Sequence, residues 1–383
     1  MDLLVNHASS FLTYVLPFLI ILTVIVFVHE LGHYLAARHN GVRVEVFSIG
    51  FGRELFGHTD RHGTRWRFSL IPLGGYVKMF GEMDTVDAGA KGRPLSPEER
   101  AVSFLHKRLG QRAVIIAAGP VMNFVFAVLI FTLVFMTMGE PVTPPVMGEV
   151  KAGSAAEAAG VRWGDRFVAI NGRAIEQFAD IQQAVHLSNG APLEIRLVRA
   201  GAEQVMTIVP QMAEGVDYLG NVRRMPVLGV GVNPDEPTRI RHHGPFSALV
   251  QALHETFGVV RSTLVAVGQM IVGVRDTGEV SGILRIAHFS GLAMQKGVII
   301  FIMFIAILSI NLGLINLFPI PFLDGGYLLF CAIEGVRGRP LTERTQEYGL
   351  RIGLVLVFGL MFFATWNDFV QLKVWDFLVN LVS

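Results

Sequence analysis

The sequence predicts an α-helical polytopic membrane protein with four transmembrane helices, a membrane-associated β region and an inserted mixed α/β domain outside the membrane. The composition supports this class, because 52% of the residues are hydrophobic, 16% are charged and the mean hydropathy is +0.50. A soluble chain of this length would carry more charge. The segments that are long and apolar enough to cross a bilayer lie at about 11–37, 113–138, 298–320 and 350–372.

The first apolar segment is expected to remain in the protein as a helix. Residues 1–28 contain no lysine or arginine, so the segment lacks the basic flank of a cleavable signal peptide. The region 38–112 is rich in basic residues: Arg38, Arg43, Arg53, Arg61, Arg65, Arg67, Lys78, Lys91, Arg93, Arg100, Lys107, Arg108 and Arg112. By the positive-inside rule we expect 38–112 to be cytoplasmic, so that both termini and the long region 139–297 face outside.

The first apolar segment contains the pattern His29-Glu30-Leu31-Gly32-His33. In a helix, residues four apart share a face, so His29 and His33 can bind one zinc ion while the neighbouring Glu30 takes a proton from an attacking water. The alternative is a chance match, which is expected roughly 0.02 times in a chain of this composition. Each ionisable side chain at mid-membrane depth costs about 2.5 to 3.5 kcal/mol on insertion scales, so three together favour a functional site.

A zinc site needs at least one more protein ligand, and Asp324 is the best candidate. It follows the third apolar segment, in the stretch NLFPIPFLDGG at 316–326. Pro319 and Pro321 should end the helix, and the glycines after Asp324 let the chain turn closely, so the carboxylate can lie at membrane depth within protein. The alternative is an aspartate that caps the next helix. Asn316 could hydrogen-bond a substrate carbonyl or its oxyanion, or equally a neighbouring helix.

Other residue types narrow the chemistry. The single cysteine, Cys331, excludes an internal disulfide framework and a cysteine-based zinc site. A net charge of +1 without a long basic stretch argues against a nucleic-acid partner. Five further histidines are alternative metal ligands by type only, because they lie in charged contexts typical of a surface: His58, His62, His106, His242 and His243.

Residues 44–56 and 64–80 show partial strand alternation with glycine and proline breaks, and they predict a β region. A helix protects its own peptide bonds, so a sheet edge near the membrane could hold a substrate segment in extended form. An ordinary cytoplasmic hairpin is the alternative.

Residues 143–212 predict a small, soluble, mixed domain. Strands are expected at 146–150, 166–170, 193–199 and 204–209, and helices at 154–159 and 178–187. The run GVRWGDRFVAINGRAI at 160–175 resembles the PDZ domains of bacterial proteases, with a tight turn at Asn171-Gly172. PDZ domains bind peptide ends by strand addition, and the loop around the peptide carboxylate is expected near Pro145 to Glu149.

Residues 245–274 place apolar side chains at helical spacing, interrupted by Glu255 and Arg261. This pattern predicts an amphipathic helix that lies along the outer membrane interface and contacts lipid. A fifth full span is the alternative. It would reverse the orientation of the carboxyl-terminal half and separate Asp324 from His29.

Four segments of the chain resemble the site-two protease family of intramembrane metalloproteases, particularly the bacterial members that regulate sigma-E. These segments are FVHELGHYLAAR at 27–38, IPLGGYVKMFGE at 71–82, AAGPVMNFVFA at 117–127 and NLGLINLFPIPFLDGG at 311–326. The resemblance implies a Zn²⁺ ion held by His29, His33 and Asp324, with Glu30 as the catalytic acid and base. It also implies substrate-binding roles for residues close to these: Asn316, Pro319, Pro321, Gly74 and Gly75.

The resemblance further implies cleavage of single-pass transmembrane proteins, such as an anti-sigma factor, after a first cut by an upstream site-one protease. The location would be the bacterial inner membrane, with both termini and the PDZ domain in the periplasm. Family members of this kind typically carry two tandem PDZ domains, whereas this chain has room for one. We favour a size filter over the active site as its role, with the binding of peptide ends or partner docking as alternatives.

Two functions of other classes compete with the protease. An inactive scaffold that presents a PDZ domain at the membrane would explain residues 143–212 but not three ionisable residues in lipid. A metal transporter could use intramembrane histidine and aspartate, but it would not need Glu30 beside His29 or a PDZ domain.

Overall fold

The computed structural model describes residues 11–82, 95–216, 222–274, 278 and 282–371 of the chain. Outside these ranges lie the two chain ends and part of the predicted cytoplasmic region, including Lys91 and Arg93. The chain divides into two compact units, of which the second, Phe131–Thr277, is inserted between the two parts of the first, Met1–Ile130 and Gly278–Ser383.

Within the described ranges, four helices are long and apolar enough to cross a membrane, as predicted, which is consistent with a polytopic membrane protein. They are α1 (Leu16–His39), α3 (Leu109–Thr137), α8 (Val298–Asn316) and α10 (Glu343–Gln371). A π-helical turn over Phe11–Val15 precedes α1. Helix α8 ends at Asn316, shortly before Pro319 and Pro321, because proline lacks the backbone donor that a continuing helix needs.

Three shorter helices complete the first unit: α2 (Pro97–Val102), α7 (Ile283–Lys296) and α9 (Asp324–Arg337). A buried ion pair between Arg285 and Asp368 joins the start of α7 to the end of α10. The Asp368 carboxylate also accepts the backbone N–H groups of Gly282, at 2.9 Å, and Arg285, at 3.1 Å. Its charge is therefore compensated although the side chain is fully buried.

The predicted β region is an antiparallel pair of long, irregular strands, β1 (Val44–Thr59) and β2 (Arg65–Met79). Several register shifts bend the pair, and Val46–Ile49 have partners both in 75–78 and in 65–68. The base of the pair packs on α1 and α3 through a shared core: Tyr34, Ala37, Val42, Val44, Phe47, Val77, Met79 and Ile115. The strands therefore lie directly against the helix that carries the two histidines of the sequence pattern.

Asp60, in the turn between β1 and β2, fastens this turn to α1. Its Oδ2 atom accepts the Tyr34 hydroxyl at 3.1 Å and the Trp66 indole N–H at 3.0 Å. Burial raises the pKa of Asp60, but the hydrogen bonds donated by Trp66, Thr64, His62 and Tyr34 outweigh it and lower the pKa to about 2. The carboxylate is thus ionised at physiological pH and remains an acceptor for Tyr34, the residue that follows His33.

The second unit is built on a four-stranded antiparallel sheet in the order β6-β5-β7-β8. These strands are β5 (Arg166–Ile170), β6 (Arg173–Ala174), β7 (Leu193–Arg199) and β8 (Ala202–Ile208), and the helices packed with them are α4 (Ala155–Ala158) and α5 (Phe178–Ser188). Phe167, Ile195 and Leu197 are fully buried in its core. The strands and helices predicted within 143–212 are confirmed, with small shifts at their ends. Asn171 and Gly172 both have positive φ, 48° and 75°, as the predicted tight turn requires.

The core of the second unit extends beyond the predicted boundary at residue 212. Leu228 is 3% exposed and packs in the same core. Strand β11 (Val230–Val232) pairs antiparallel with β4 (Met147–Val150), so the chain after residue 212 completes the layer that begins at 147. The remaining strands form two further pairs: β3 (Glu140–Val142) with β12 (Arg239–Arg241), and β9 (Gln211–Val216) with β10 (Val222–Val227).

The prediction that a carboxylate-binding loop lies near Pro145 to Glu149 is wrong. On one side the segment bonds to the start of β5, with the Met147 N–H donating to the Asp165 carbonyl and the Phe167 N–H donating to the Pro145 carbonyl. On the other side it pairs with β11. A segment paired along both edges cannot offer a row of free N–H groups to a peptide carboxylate.

Helix α6 (Pro245–Ile271) confirms the helix predicted at 245–274. It is absent from the candidate membrane spans among the described residues. Large apolar side chains remain exposed along it, including Phe246 at 80% and Phe257 at 67%. Its start is anchored in the same unit by Glu140, which accepts the Gln251 amide at 3.0 Å and lies 3.0 Å from His243 Nε2.

Candidate metal centre

Three side chains converge in the first unit: His29 and His33, one turn apart on α1, and Asp324, the first residue of α9. The Nε2 atoms of the two histidines lie 3.2 Å apart. Asp324 Oδ2 is 3.1 Å from His29 Nε2 and 3.5 Å from His33 Nε2. Two ligand atoms of a tetrahedral zinc site with bonds of about 2.0 to 2.1 Å are about 3.3 Å apart. The three donor atoms therefore already have the spacing of one face of a zinc tetrahedron.

The turn between α8 and α9 brings Asp324 to the histidines. Phe322 adopts a positive φ of 87°, which is strained for an aromatic residue. Gly325 and Gly326 then lie so close to the backbone of residues 317–321 that a side chain at either position would collide with it. The two glycines are thus required for a close approach, and they let α9 begin with its carboxylate beside α1.

His33 is held by α3 on the side opposite Asp324. Its Nδ1 atom lies 2.9 Å from the Ile115 carbonyl oxygen, so an Nδ1–H group can donate there and leave Nε2 for a metal. Gly119, one turn further along α3, packs against the His33 ring with no room for a Cβ atom, and Gly32 packs in the same way on the Ala118 carbonyl. These glycines set the distance between α1 and α3.

Glu30 lies beside the histidines and faces the strand pair. The backbone N–H of Val77 in β2 hydrogen-bonds to its carboxylate. Gly75 allows this approach, because a Cβ there would be 3.0 Å from Val26 Cγ1 and 3.4 Å from Glu30 Cγ. The carboxylate is therefore oriented by β2 and does not belong to the set of three donor atoms.

A cavity of about 240 Å³ opens at this site. It is lined by residues of α1, β2, α3, α9 and α10 and of the connections after β2 and α2: His29, Glu30, His33, Tyr76, Val77, Met79, Glu82, Phe104, Leu105, Arg112, Ile116, Asp324, Tyr327, Phe330, Cys331, Glu334, Gln346 and Leu350. Arg112 and the buried Glu334 form an ion pair with an N–O distance of 2.5 Å within this lining. The cavity thus joins the candidate metal centre to charged groups at the starts and ends of neighbouring helices.

The structure places the other predicted site residues close to this cavity but not in its lining. Asn316 is the last residue of α8, and Pro319 and Pro321 form the turn that follows. Gly74 and Gly75 precede the lining residue Tyr76 in β2. Of the His, Cys, Asp and Glu side chains in the described residues, the only group that could share a metal ion is His29, His33 and Asp324. The five alternative histidines are therefore not part of this centre.

Sequence reasoning did not single out Asn123, which lies next to His29. The side chain is fully buried in α3, and its Nδ2 atom is 3.1 Å from His29 Nδ1. An amide within the uncharged apolar segment 113–138 was the available signal, because such groups in membrane helices seek polar partners. The signal did not indicate which partner.

Comparison with known proteins identifies the family of this chain. A family model described as peptidase family M50 matches residues 17–360. The chain belongs to peptidase family M50. This finding confirms the resemblance to the site-two proteases.

Relatives cover nearly the whole M50 chain. A protein named as a zinc metalloprotease in Agrobacterium fabrum is 43% identical over 366 residues, which are 94% of this chain and 97% of that protein. The regulator of sigma-E protease RseP of Salmonella typhimurium is 35% identical over 455 positions, covering 93% of this chain and 98% of its own. That alignment is longer than the 383 residues of this chain, so the Salmonella protein carries segments that are absent here.

The M50 chain is a zinc metalloprotease, and its donor set fits the metal. Two imidazole nitrogens and one carboxylate oxygen are ligands that zinc prefers, and three protein ligands leave the fourth position open as in catalytic sites. Asp324 Oδ2 is buried without a hydrogen-bond partner, and the polar atoms that face it are the two histidine Nε2 atoms that would share the metal. When bound, zinc supplies Lewis-acid chemistry that lowers the pKa of water and polarises a carbonyl.

The close packing of α1 on α3 leads to a first prediction. Replacing Gly119 with Ala should place a methyl group against the His33 ring, displace its Nε2 atom and lower zinc affinity by about tenfold or more. Gly110→Ala is the matched control, because the same change on the same helix meets no atom within 4 Å. Zinc affinity is measured on purified protein by competition with a chelator. Equal affinities for the two variants would contradict the packing argument.

Proposed function

We propose that this M50 protein is an intramembrane zinc endopeptidase that cleaves transmembrane proteins. In this proposal His29, His33 and Asp324 hold the zinc ion, and Glu30 takes a proton from the attacking water and returns it to the leaving amine. The observation that carries the proposal is the convergence of three donor atoms, 3.1 to 3.5 Å apart, two of which belong to a helix apolar enough to cross a membrane. An inactive scaffold would not need this arrangement.

The strand β2 supports a mode of substrate binding. Residues 75–79 pair with β1 along one edge, while the other edge faces α1, where the Val77 N–H reaches Glu30. Tyr76 and Val77 line the cavity. A substrate segment that added to this edge as a strand would be extended, and its peptide bonds would lie beside Glu30 and Asp324. Gly74 and Gly75 keep side chains away from that path, and Asn316, Pro319 and Pro321 would bound it at the α8–α9 turn.

The outer part of the strand pair supports its association with the membrane. Six large apolar side chains there are between 43% and 66% exposed: Phe51, Leu55, Phe56, Leu70, Ile71 and Leu73. Such a surface is costly in water but not in lipid. The sheet can therefore lie at membrane depth next to α1, provided that its backbone groups remain paired within the protein.

The proposal includes the predicted topology in a bacterial inner membrane. Residues 38–112 would be cytoplasmic, while both termini and the second unit, as a PDZ domain, would be periplasmic. A folded domain above the membrane can exclude bulky ectodomains by its volume alone, so an upstream site-one protease would have to shorten the substrate first.

The sigma-E regulator among the relatives supports an anti-sigma factor as one substrate. Exposed apolar side chains of α6 support its contact with membrane lipid.

The role of Glu30 leads to a second prediction. In Glu30→Gln the ligand set is unchanged, so zinc affinity should stay within about threefold, while cleavage of a transmembrane peptide in detergent should fall by at least about a thousandfold. Asp324→Ala should instead lower zinc affinity. Full cleavage by Glu30→Gln would refute the acid–base assignment, and unchanged zinc affinity in Asp324→Ala would mean that another residue is the third ligand.

The topology leads to a third prediction. Cys331 is the only cysteine, so Cys331→Ser provides a background in which single cysteines can be placed at exposed positions. In cells with a permeabilised outer membrane, Glu203→Cys in the second unit should react with a membrane-impermeant maleimide. Arg61→Cys, in the turn between β1 and β2, should react only after the inner membrane is opened. Labelling in the reverse order would invert the proposed topology.

Strand addition leads to a fourth prediction. A photoreactive phenylalanine analogue in place of Tyr76, in the Glu30→Gln background, should cross-link to a bound substrate at residues next to its scissile bond. The same analogue in place of Phe56, which is 66% exposed in the outer part of the strand pair, serves as the control and should cross-link mainly to lipid. Substrate adducts of equal yield at both positions would contradict binding along 75–79.

A further inference from the structure

The surroundings of Asn123 hold an unsatisfied polar group beside the zinc site. Asn123 is 0% exposed in α3, and its backbone carbonyl accepts the Ser309 hydroxyl of α8 at 3.0 Å. Its amide group lies against His29 Nδ1, with Nδ2 at 3.1 Å, while Oδ1 is buried without a hydrogen-bond partner. A buried amide oxygen without a donor is destabilising, so this arrangement calls for a partner.

The chemistry of a metal-bound histidine identifies that partner. When Nε2 of a neutral imidazole faces a metal, the ring proton is on Nδ1, which must then donate a hydrogen bond. The nitrogen and oxygen of an asparagine amide have nearly the same shape, so hydrogen-bonding chemistry decides which atom faces the ring. Turning the amide by half a rotation presents Oδ1 to the His29 Nδ1–H group. This rotation gives the orphaned oxygen a donor and the ring proton an acceptor, and it moves Nδ2 to the buried position that Oδ1 held.

We propose that Asn123 is a positioning residue for the zinc site, whose Oδ1 accepts the Nδ1–H of His29 and fixes the ring with Nε2 toward the metal. His33 is fixed in the same way by the Ile115 carbonyl, at 2.9 Å from its Nδ1. Helix α3 therefore supplies the outer partner of both histidines. One partner is a backbone atom that no substitution removes, whereas the other is a side chain on which the orientation of His29 depends.

This inference rests on the proposed zinc site, and the experiment separates the two. Zinc affinity is measured by chelator competition on the purified full chain in detergent, for the wild type, His29→Ala, Asn123→Leu, Asn123→Asp and Ser309→Ala. Loss of an outer partner of a metal ligand typically costs 10- to 100-fold in affinity, and Asn123→Leu should fall in that range. Asn123→Asp keeps an acceptor toward Nδ1–H and should bind zinc within about threefold of the wild type or more tightly.

Ser309→Ala is the matched control for packing. It removes a buried hydrogen bond to the backbone of Asn123 but leaves the amide and the ring in contact, so it should lower the melting temperature without changing zinc affinity. Wild-type affinity in Asn123→Leu would overturn the inference, as would a loss in Asn123→Asp equal to that in Asn123→Leu. If Asn123→Leu does not fold, the zinc affinities of Asn123→Asp and Ser309→Ala are compared instead. A tenfold loss of zinc affinity in Asn123→Asp then overturns the inference. Unchanged affinity in His29→Ala would instead refute the proposed zinc site.

Discussion

Polar groups inside an apolar bundle must find their partners within the protein, and this constraint shapes the whole first unit. Residues 16–37 of helix α1 carry two imidazoles and one carboxylate among mainly apolar side chains. Because lipid cannot solvate them, each needs a specific neighbour in the protein. Asp324, the Ile115 carbonyl and the Val77 N–H provide these neighbours from α9, α3 and β2. α9, α3 and β2 thus each give α1 a polar contact.

Such contacts require unusually short distances between backbones, and glycine provides them. Gly32 and Gly119 bring α1 onto α3, and Gly75 brings β2 onto Glu30. Small residues serve the same purpose in membrane helices generally, where packing rather than water drives association. The Asp60 carboxylate adds a fixed point outside the helices by accepting the Tyr34 hydroxyl next to His33. The site is therefore held by rigid elements on several sides, as a catalytic geometry requires.

Periodic and local signals explain which features could be predicted from the sequence. The four spans, the strands of the β region and the elements of 143–212 follow from hydrophobic patterns that are independent of the tertiary structure. His29, Glu30, His33 and Asp324 could be named because ionisable groups in apolar segments need a function or a partner. The role of Leu228 and the pairing of β4 with β11 could not, because they depend on contacts between residues some eighty positions apart, which local patterns do not encode. Asn123 was missed for the same reason, since its meaning lies in the ring that it touches.

Hydrolysis within a membrane also requires water, which the lipid interior excludes. The cavity at the metal centre offers a solution, because its lining combines the site with Glu82, Gln346 and the Arg112–Glu334 pair. Water enters a cavity only where several polar groups can bind it, and these side chains provide such groups beyond the metal site. Glu82 and Arg112 belong to the region 38–112, and Glu334 and Gln346 lie on either side of the α9–α10 connection. Both segments are on the side proposed to be cytoplasmic. Water would then reach Glu30 from the cytoplasm, while a substrate would approach along β2, so the two reactants need not share one path.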